Sequence, residues 1–435
     1  MKMIVTVEDS TIVQPFEETP KLTLWTSNVD QLFKVHIPSV YFFKPNGSSN
    51  FFNADLLKGA LSKVLVPFYP VAGRLKKDKN GRLEIECNGE GALFVEAYTK
   101  SNLADLGDFE PSMELMQLIP RLGKGQDIYS SPFVLLQVTY FNCGGVSLGV
   151  AAQHTVVDGI AGTQFINSWA RVARGLDVKI PPSIDRTLLH ARQPPTPSFP
   201  HTEHQPPPTV LKTSNQKMET QTSLTAVATF KITGDQINTL KSKCNNELDP
   251  IKFSSYEVLA GHVWRCASKA RNLENDQETS VSILVDGRTR LNPPLPFEYL
   301  GNAIFHVTPR TTSGDIVSKP LFHAVRIVHD TLALADDKYL RSALDYLEMQ
   351  PDLSSLVRGP HTFGCPNLGF TSWCRLPLYD ADFGWGKPVY MGPGCIIHEG
   401  LAYVLPSSSN DGNLSIIISL QSDYIVPFEQ YLYEL

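Results

Sequence analysis

Apolar residues along this chain recur with two periods, and the change from one to the other marks out its elements. Residues 39–43 read as a strand, while residues 54–66 place Leu57, Leu61, Val64 and Leu65 on one face of a helix. Residues 68–75 form a loop into a predicted strand pair, 83–87 and 92–97, joined by Asn88-Gly89-Glu90-Gly91. A second hairpin is predicted over 133–141 and 146–152, turned by Asn142-Cys143-Gly144-Gly145. Beyond it Phe165, Trp169 and Val172 return to helical spacing. Further along, 226–231 reads as a strand, 235–243 as a helix with Thr233 as N-cap, and 254–270 as a helix capped by Ser254 or Ser255. Strands are also predicted over 281–285, 303–309, 368–373, 396–404 and 414–420, and the first nine residues read as a strand carrying acidic side chains.

The clearest break lies at 193–208, where seven prolines exclude both helix and sheet interior and favour an extended, semi-rigid path. Polar residues continue from Thr213 to Thr222. The chain thus divides into an N-terminal half (1–190), a linker (191–223) and a C-terminal half (224–435), with part of 375–400 free to pack on the first half. The predicted class is α/β, with two mixed sheets and no sequence repeat.

Composition narrows the functions available. At 435 residues with 42% hydrophobic side chains, the chain has ample material for two cores. A net charge of -6 argues against a nucleic-acid surface or a polybasic membrane contact. No run approaches the ~18 apolar residues of a membrane span, and the N-terminus lacks the apolar core of a signal peptide, so a cytoplasmic location is expected. The seven cysteines contain no C-x-x-C pair and signal neither a disulfide framework nor a zinc site.

His154-Thr155-Val156-Val157-Asp158-Gly159 carries the chemistry, because it puts a polar pair between a strand and a helix. A neutral imidazole there can take a proton from a hydroxyl and return it to a leaving group. On a helix His154 and Asp158 would share a face, as in a metal pair or a relay. With a turn at Asp158-Gly159 the carboxylate would instead hold the loop, and the glycine favours that turn. A buried histidine satisfied by backbone is the bland alternative. Gly145-Val146-Ser147-Leu148-Gly149 matches a serine-hydrolase elbow, but Ser147 lies in a predicted strand that continues to His154, without the sharp turn an elbow needs.

Together with Asp382-Phe383-Gly384-Trp385-Gly386, Phe68-Tyr69-Pro70, Tyr299-Leu300-Gly301-Asn302 and Thr371-Ser372-Trp373, this hexapeptide makes the chain resemble the plant BAHD acyltransferases over its full length. Leu356-Val357-Arg358-Gly359 and Asp345-Tyr346-Leu347-Glu348 are similar to the hydroxycinnamoyl-CoA:shikimate and quinate hydroxycinnamoyltransferases of that family. The resemblance implies two chloramphenicol-acetyltransferase-like domains joined by a crossover loop, with a channel at their interface. It implies acyl-CoA as cosubstrate, no permanently bound cofactor, no metal, and a monomer.

The same resemblance assigns residues. His154 becomes the general base for attack of an acceptor hydroxyl on the thioester, without an acyl-enzyme. Trp373 and Thr371 position the developing oxyanion or the substrate. Asp158 and Gly159 turn to structural support, with Arg288 as the cation paired to Asp158. Arg358 holds the carboxylate of an acceptor such as shikimate or quinate, and His36, Ser39 and Tyr41 line its pocket. Ile37 departs from the threonine usual in these enzymes, and Gln153 departs from their His-His pair, which opens the acceptor to another hydroxy acid, such as hydroxyphenyllactate or malate, or to an amine. For CoA, Ser254, Ser255 and Tyr256 at a helix start are expected to meet phosphates, with Lys252, Asp286, Arg288, Arg290, Ser372 and Arg375 nearby. Asp382, Gly384, Trp385 and Gly386 are expected to support the fold, the two glycines allowing a tight loop. A serine hydrolase using Ser147, or a binding protein that kept the fold without the chemistry, are the rival readings from other classes.

Overall fold

The computed structural model describes residues 3–123, 127–210, 224–245, 251–409 and 411–435. The polar stretch from Thr213 to Thr222, at the end of the predicted linker, lies outside them. Two mixed sheets organise the chain. The first runs Val5–Val13, Ala92–Thr99, Val134–Phe141, Val146–Gln153, His36–Phe43 and Tyr390–Pro393, with one parallel pairing, between Ala92–Thr99 and Val134–Phe141. Its last strand comes from the C-terminal half and pairs with His36–Phe43. The second sheet runs Ile304–Val307, Glu278–Asp286, Leu368–Ser372, Leu401–Pro406, Leu414–Gln421 and Thr225–Ile232, with Arg310–Thr312 joined to Glu278–Asp286.

Helices form where apolar stripes and caps coincide. Gly159–Ala173 starts at Asp158, whose carboxylate accepts the Ala161 N–H at 3.0 Å. Its inner face buries Phe165, Ile166 and Trp169, and each such side chain contributes about 1.5–3 kcal/mol relative to exposure. Ser255–Ala270 starts with a capping box: the Ser254 hydroxyl accepts from Glu257 N–H, and the Glu257 carboxylate accepts from Ser254 N–H. Its stripe of Val258, Leu259, Val263, Cys266 and Ala267 enters the core of the second sheet.

Three expectations need correction. The strands predicted at 83–87 and 92–97 both form, but not as a hairpin. Leu83–Glu86 belongs to a separate three-stranded sheet with Thr23–Trp25 and Arg74–Lys77, whereas Ala92–Thr99 joins the first large sheet. Gly91 makes the transfer: at φ +96° it brings its backbone against Val13, where a Cβ would stand 2.2 Å from the carbonyl oxygen, and its N–H donates to Ala72. The strand predicted at 396–404 begins only at Leu401. Between Ser313 and Glu348 the chain forms three helices, Ser313–Ser318, Leu321–Leu334 and Asp337–Glu348, where no element had been predicted.

The proline-rich stretch is fastened rather than free. Buried Asp345 accepts hydrogen bonds from Arg192 N–H, Arg192 Nε and Thr196 N–H. The Ser342 hydroxyl accepts from the N–H groups of Ser198 and Phe199 and lies 2.8 Å from His201 Nε2, while His201 Nδ1 lies 2.8 Å from Glu203. Extended backbone thus has its polar groups met by the helix Asp337–Glu348.

Candidate active site

A cavity of about 1230 Å³ lies between the two sheets and takes lining residues from both. His154 reaches it because the strand Val146–Gln153 ends one residue earlier and the next helix begins at Gly159. The chain turns at Asp158, so the two polar groups of the hexapeptide, His154 and Asp158, part company. Asp158 is 2% exposed and forms a two-pronged pair with Arg288, Nη1 to Oδ2 at 2.8 Å and Nη2 to Oδ1 at 3.0 Å, while the Ala303 N–H donates to Oδ2 at 3.1 Å.

His154 is held by other groups. Its Nδ1 lies 2.9 Å from Asn302 Oδ1, and the Asn302 amide nitrogen donates to Asp30 at 2.9 Å and to the His154 carbonyl at 2.6 Å. Both of those partners are acceptors, so the amide oxygen must face the imidazole, and Nδ1 must carry the proton. That leaves the lone pair on Nε2. Asp30, fully buried, is itself anchored by Arg186 at 2.9 Å and by Ser27. Phe33 stacks on the imidazole with ring centroids 4.3 Å apart. Burial lowers the His154 pKa below the ordinary imidazole value, against opposing contributions from its backbone, Asp158, Asn302 and Asp30.

Ile37, Ser39 and Tyr41 alternate onto one face of the strand His36–Phe43 and line the cavity, as does His36, whose Nε2 lies 3.0 Å from the Pro132 carbonyl. Burial lowers the pKa of His36 and raises that of Tyr41. Arg358 lines the cavity as well, and its Nη2 donates to the Glu203 carbonyl at 2.6 Å. Burial lowers its pKa to about 10, which keeps the guanidinium cationic at neutral pH. Thr371, Ser372 and Trp373 enter from the second sheet, with the Trp373 ring edge-on to Tyr403 at 5.3 Å.

On the coenzyme side the picture is mixed. Ser254, Ser255, Tyr256, Asp286, Arg290 and Arg375 line the cavity, joined by Lys241, which no sequence motif singles out. The Tyr256 hydroxyl donates to the Phe370 carbonyl, and Arg290 Nη1 donates to the carbonyls of Leu332 and Ala335. Two residues expected at the coenzyme lie outside the cavity lining. Arg288 is 1% exposed and spent on Asp158, and Lys252 projects from the surface outside the cavity lining.

Two further motifs stand apart from the cavity. Asp382 Oδ1 accepts the N–H groups of Gly384 and Gly386, glycines at φ +101° and +109°, while Phe383 packs on Trp169 and the Trp385 indole donates to Asn50. Ser147 is fully buried in mid-strand, opposite Phe42 and Thr139, and does not line the cavity. A nucleophile elbow is excluded by that position. Among the described residues no cluster of ligating side chains could hold a metal ion, and no helix is long and apolar enough to cross a membrane.

Asp30, Arg186 and Asn302 were not expected as site residues. Only Asn302 lay in a run that carried the resemblance, and nothing in the local sequence around Asp30 distinguishes it from a surface turn.

Comparison with known proteins shows the family and the fold. The Transferase family model matches residues 3–435. Shikimate O-hydroxycinnamoyltransferase of Nicotiana tabacum is 56% identical, over 99% of this chain and 100% of its own length. A hydroxycinnamoyl-CoA:5-hydroxyanthranilate N-hydroxycinnamoyltransferase of Avena sativa is 50% identical over 99% of each chain. The crystal structure of vinorine synthase superposes with a TM-score of 0.75, covering 98% of this chain and 96% of that one at 23% identity, and so shares the fold. The chain therefore belongs to the BAHD acyltransferases and is a CoA-dependent acyltransferase.

Proposed function

We propose that the protein moves a hydroxycinnamoyl group, p-coumaroyl or caffeoyl, from CoA to a hydroxyl of a small carboxylated acceptor such as shikimate or quinate. The observation that carries this reading is the pairing of a base and a carboxylate handle in one cavity: His154 with its lone pair on Nε2, and cationic Arg358. The tobacco relative, named for shikimate, supports the same acceptor.

In the proposed step the acceptor oxygen attacks the thioester carbonyl carbon and loses its proton to His154 Nε2. A C–O bond forms, the C–S bond then breaks, and the same proton passes to the departing CoA sulfur. No acyl-enzyme is needed. Trp373 and Thr371, on the cavity wall, are the groups assigned to the developing oxyanion or to substrate positioning. Lys241, Arg290, Arg375 and the Ser254–Tyr256 turn are assigned to the coenzyme, an anion that these cations attract.

A second reading, acylation of an amine on a carboxylated aromatic ring, is favoured by the oat relative, because Arg358 would serve that carboxylate equally well. A matrix of p-coumaroyl-CoA and caffeoyl-CoA against shikimate, quinate, malate, hydroxyphenyllactate and 5-hydroxyanthranilate separates the two. Turnover with shikimate or quinate at the highest kcat/KM is expected, and failure with every carboxylated acceptor would overturn the substrate class.

A further inference from the structure

The cavity contains a second imidazole for which the proposed step has no use. His306 lies on the strand Ile304–Val307, opposite Leu284, four residues beyond the asparagine that orients His154. It is 7% exposed and lines the cavity, yet neither Nδ1 nor Nε2 has a hydrogen-bond partner among the described residues. Buried polar atoms are nearly always paired, and a side chain that leaves two of them open on a cavity wall calls for a ligand.

Its surroundings define that ligand. Phe33 stacks on the ring of His154 and also on that of His306, at 5.7 Å, so one phenyl ring sets both imidazoles into the same wall. Burial holds the pKa of His306 well below the ordinary value, and Arg358, His204 and His154 push it the same way electrostatically. It is therefore neutral at pH 7, with one N–H to give and one lone pair to receive. A carboxylate can only accept and an ammonium can only donate, but a hydroxyl does both. Arg358, a cation lining the same cavity, already provides for a carboxylate.

We propose that His306 is a specificity-determining residue, which hydrogen-bonds a hydroxyl of the acceptor other than the one acylated, while Arg358 holds the carboxylate. The inference rests on the acceptor reading given above, and it names a polyhydroxy carboxylic acid as the class that fits best.

The test is steady-state kinetics of wild type, His306→Leu, His306→Gln and Arg358→Ala with p-coumaroyl-CoA, shikimate, and shikimate analogues each lacking one ring hydroxyl. His306→Leu should raise the KM for shikimate about 3- to 10-fold, the effect of one lost neutral hydrogen bond, and leave the KM for p-coumaroyl-CoA unchanged. His306→Gln, which keeps a donor and an acceptor, should recover most of the loss. One deoxy analogue should be handled equally by wild type and His306→Leu, because the bond is already absent. Should His306→Leu not fold, shikimate binding to wild type should shift the ring ¹⁵N resonances of the one histidine that His306→Gln removes. An unchanged shikimate KM in His306→Leu, or unshifted resonances, overturns the proposal. If Arg358→Ala at the same time raises the shikimate KM, the acceptor reading survives and only the role of His306 fails; if Arg358→Ala has no such effect, the acceptor reading itself has failed.

Discussion

Asn302 holds the imidazole of His154 at 2.9 Å by its amide oxygen, and its amide nitrogen is fixed by Asp30 on the other side. The proposed base is therefore set in one tautomer before any substrate arrives. Replacing Asn302 by Ala should lower kcat by about tenfold or more with little change in either KM, whereas His154→Ala should cost the 10²–10⁴-fold typical of a lost general base. Single-turnover rates measured beside a thermal melt would check both, and an Asn302→Ala enzyme with normal kcat would remove the asparagine from the account.

The lowered pKa of His154 sets the direction of the pH profile. Protonation would remove the proposed base, so kcat/KM should fall only below the ordinary imidazole pKa of 6.5 and stay flat from pH 7 to 8. An acid limb centred above 7 would contradict that.

Stability should follow the same sign for a different reason. Burial holds His204 and His262 neutral in the native state, with pKa values of about 4 against 6.5 for free histidine. Between those values the unfolded chain binds protons that the folded chain does not, so stability is complete above pH 6.5 and is lost as pH falls toward 4, by up to about 1.4 kcal/mol per pH unit for each histidine. Urea melts from pH 7.5 to 4.5 should show this decline, and His262→Gln should make it shallower.

Asp158 and Arg288 form a buried ion pair at 2.8 Å. Removing one partner leaves an uncompensated charge at a cost of about 3–5 kcal/mol, so Asp158→Ala should chiefly lower soluble yield and melting temperature. A variant that melted normally but had lost turnover would mean that the carboxylate acts in the chemistry.

Asp382 ties off its loop through two backbone N–H groups. Asp382→Ala should destabilise the protein by roughly 1.5–3 kcal/mol, the value of hydrogen bonds to a charged group, while folded enzyme keeps its kcat. Activity corrected for the folded fraction is the measurement that decides.

The elements that the sequence revealed are those set by local periodicity. The helix after His154, the hairpin turned at Asn142-Cys143-Gly144-Gly145, and the caps at Thr233 and Ser254 all depend on contacts within a few residues. What stayed hidden is long-range. Gly91 reads locally as a hairpin turn, but its positive φ serves a close approach to Val13, far back in the chain. His154 could be singled out from its strand-to-helix position. Asp30 and Asn302, 272 residues apart, meet only after both halves have packed. Likewise, only the folded cavity shows that His306 has unpaired nitrogens, because a histidine within a predicted strand looks like any other half-buried polar residue.

The fastened crossover has a consequence for how specificity is inherited. Arg358 is steadied by the carbonyl of Glu203, and Glu203 is clasped by His201 and Tyr339, yet no side chain between 192 and 209 lines the cavity. A chimera that exchanged only this stretch with that of a relative would swap no residue in reach of the acceptor. It would nonetheless reset the seat of Arg358, the proposed carboxylate handle, so that on this reading part of substrate choice travels with a segment outside the cavity lining.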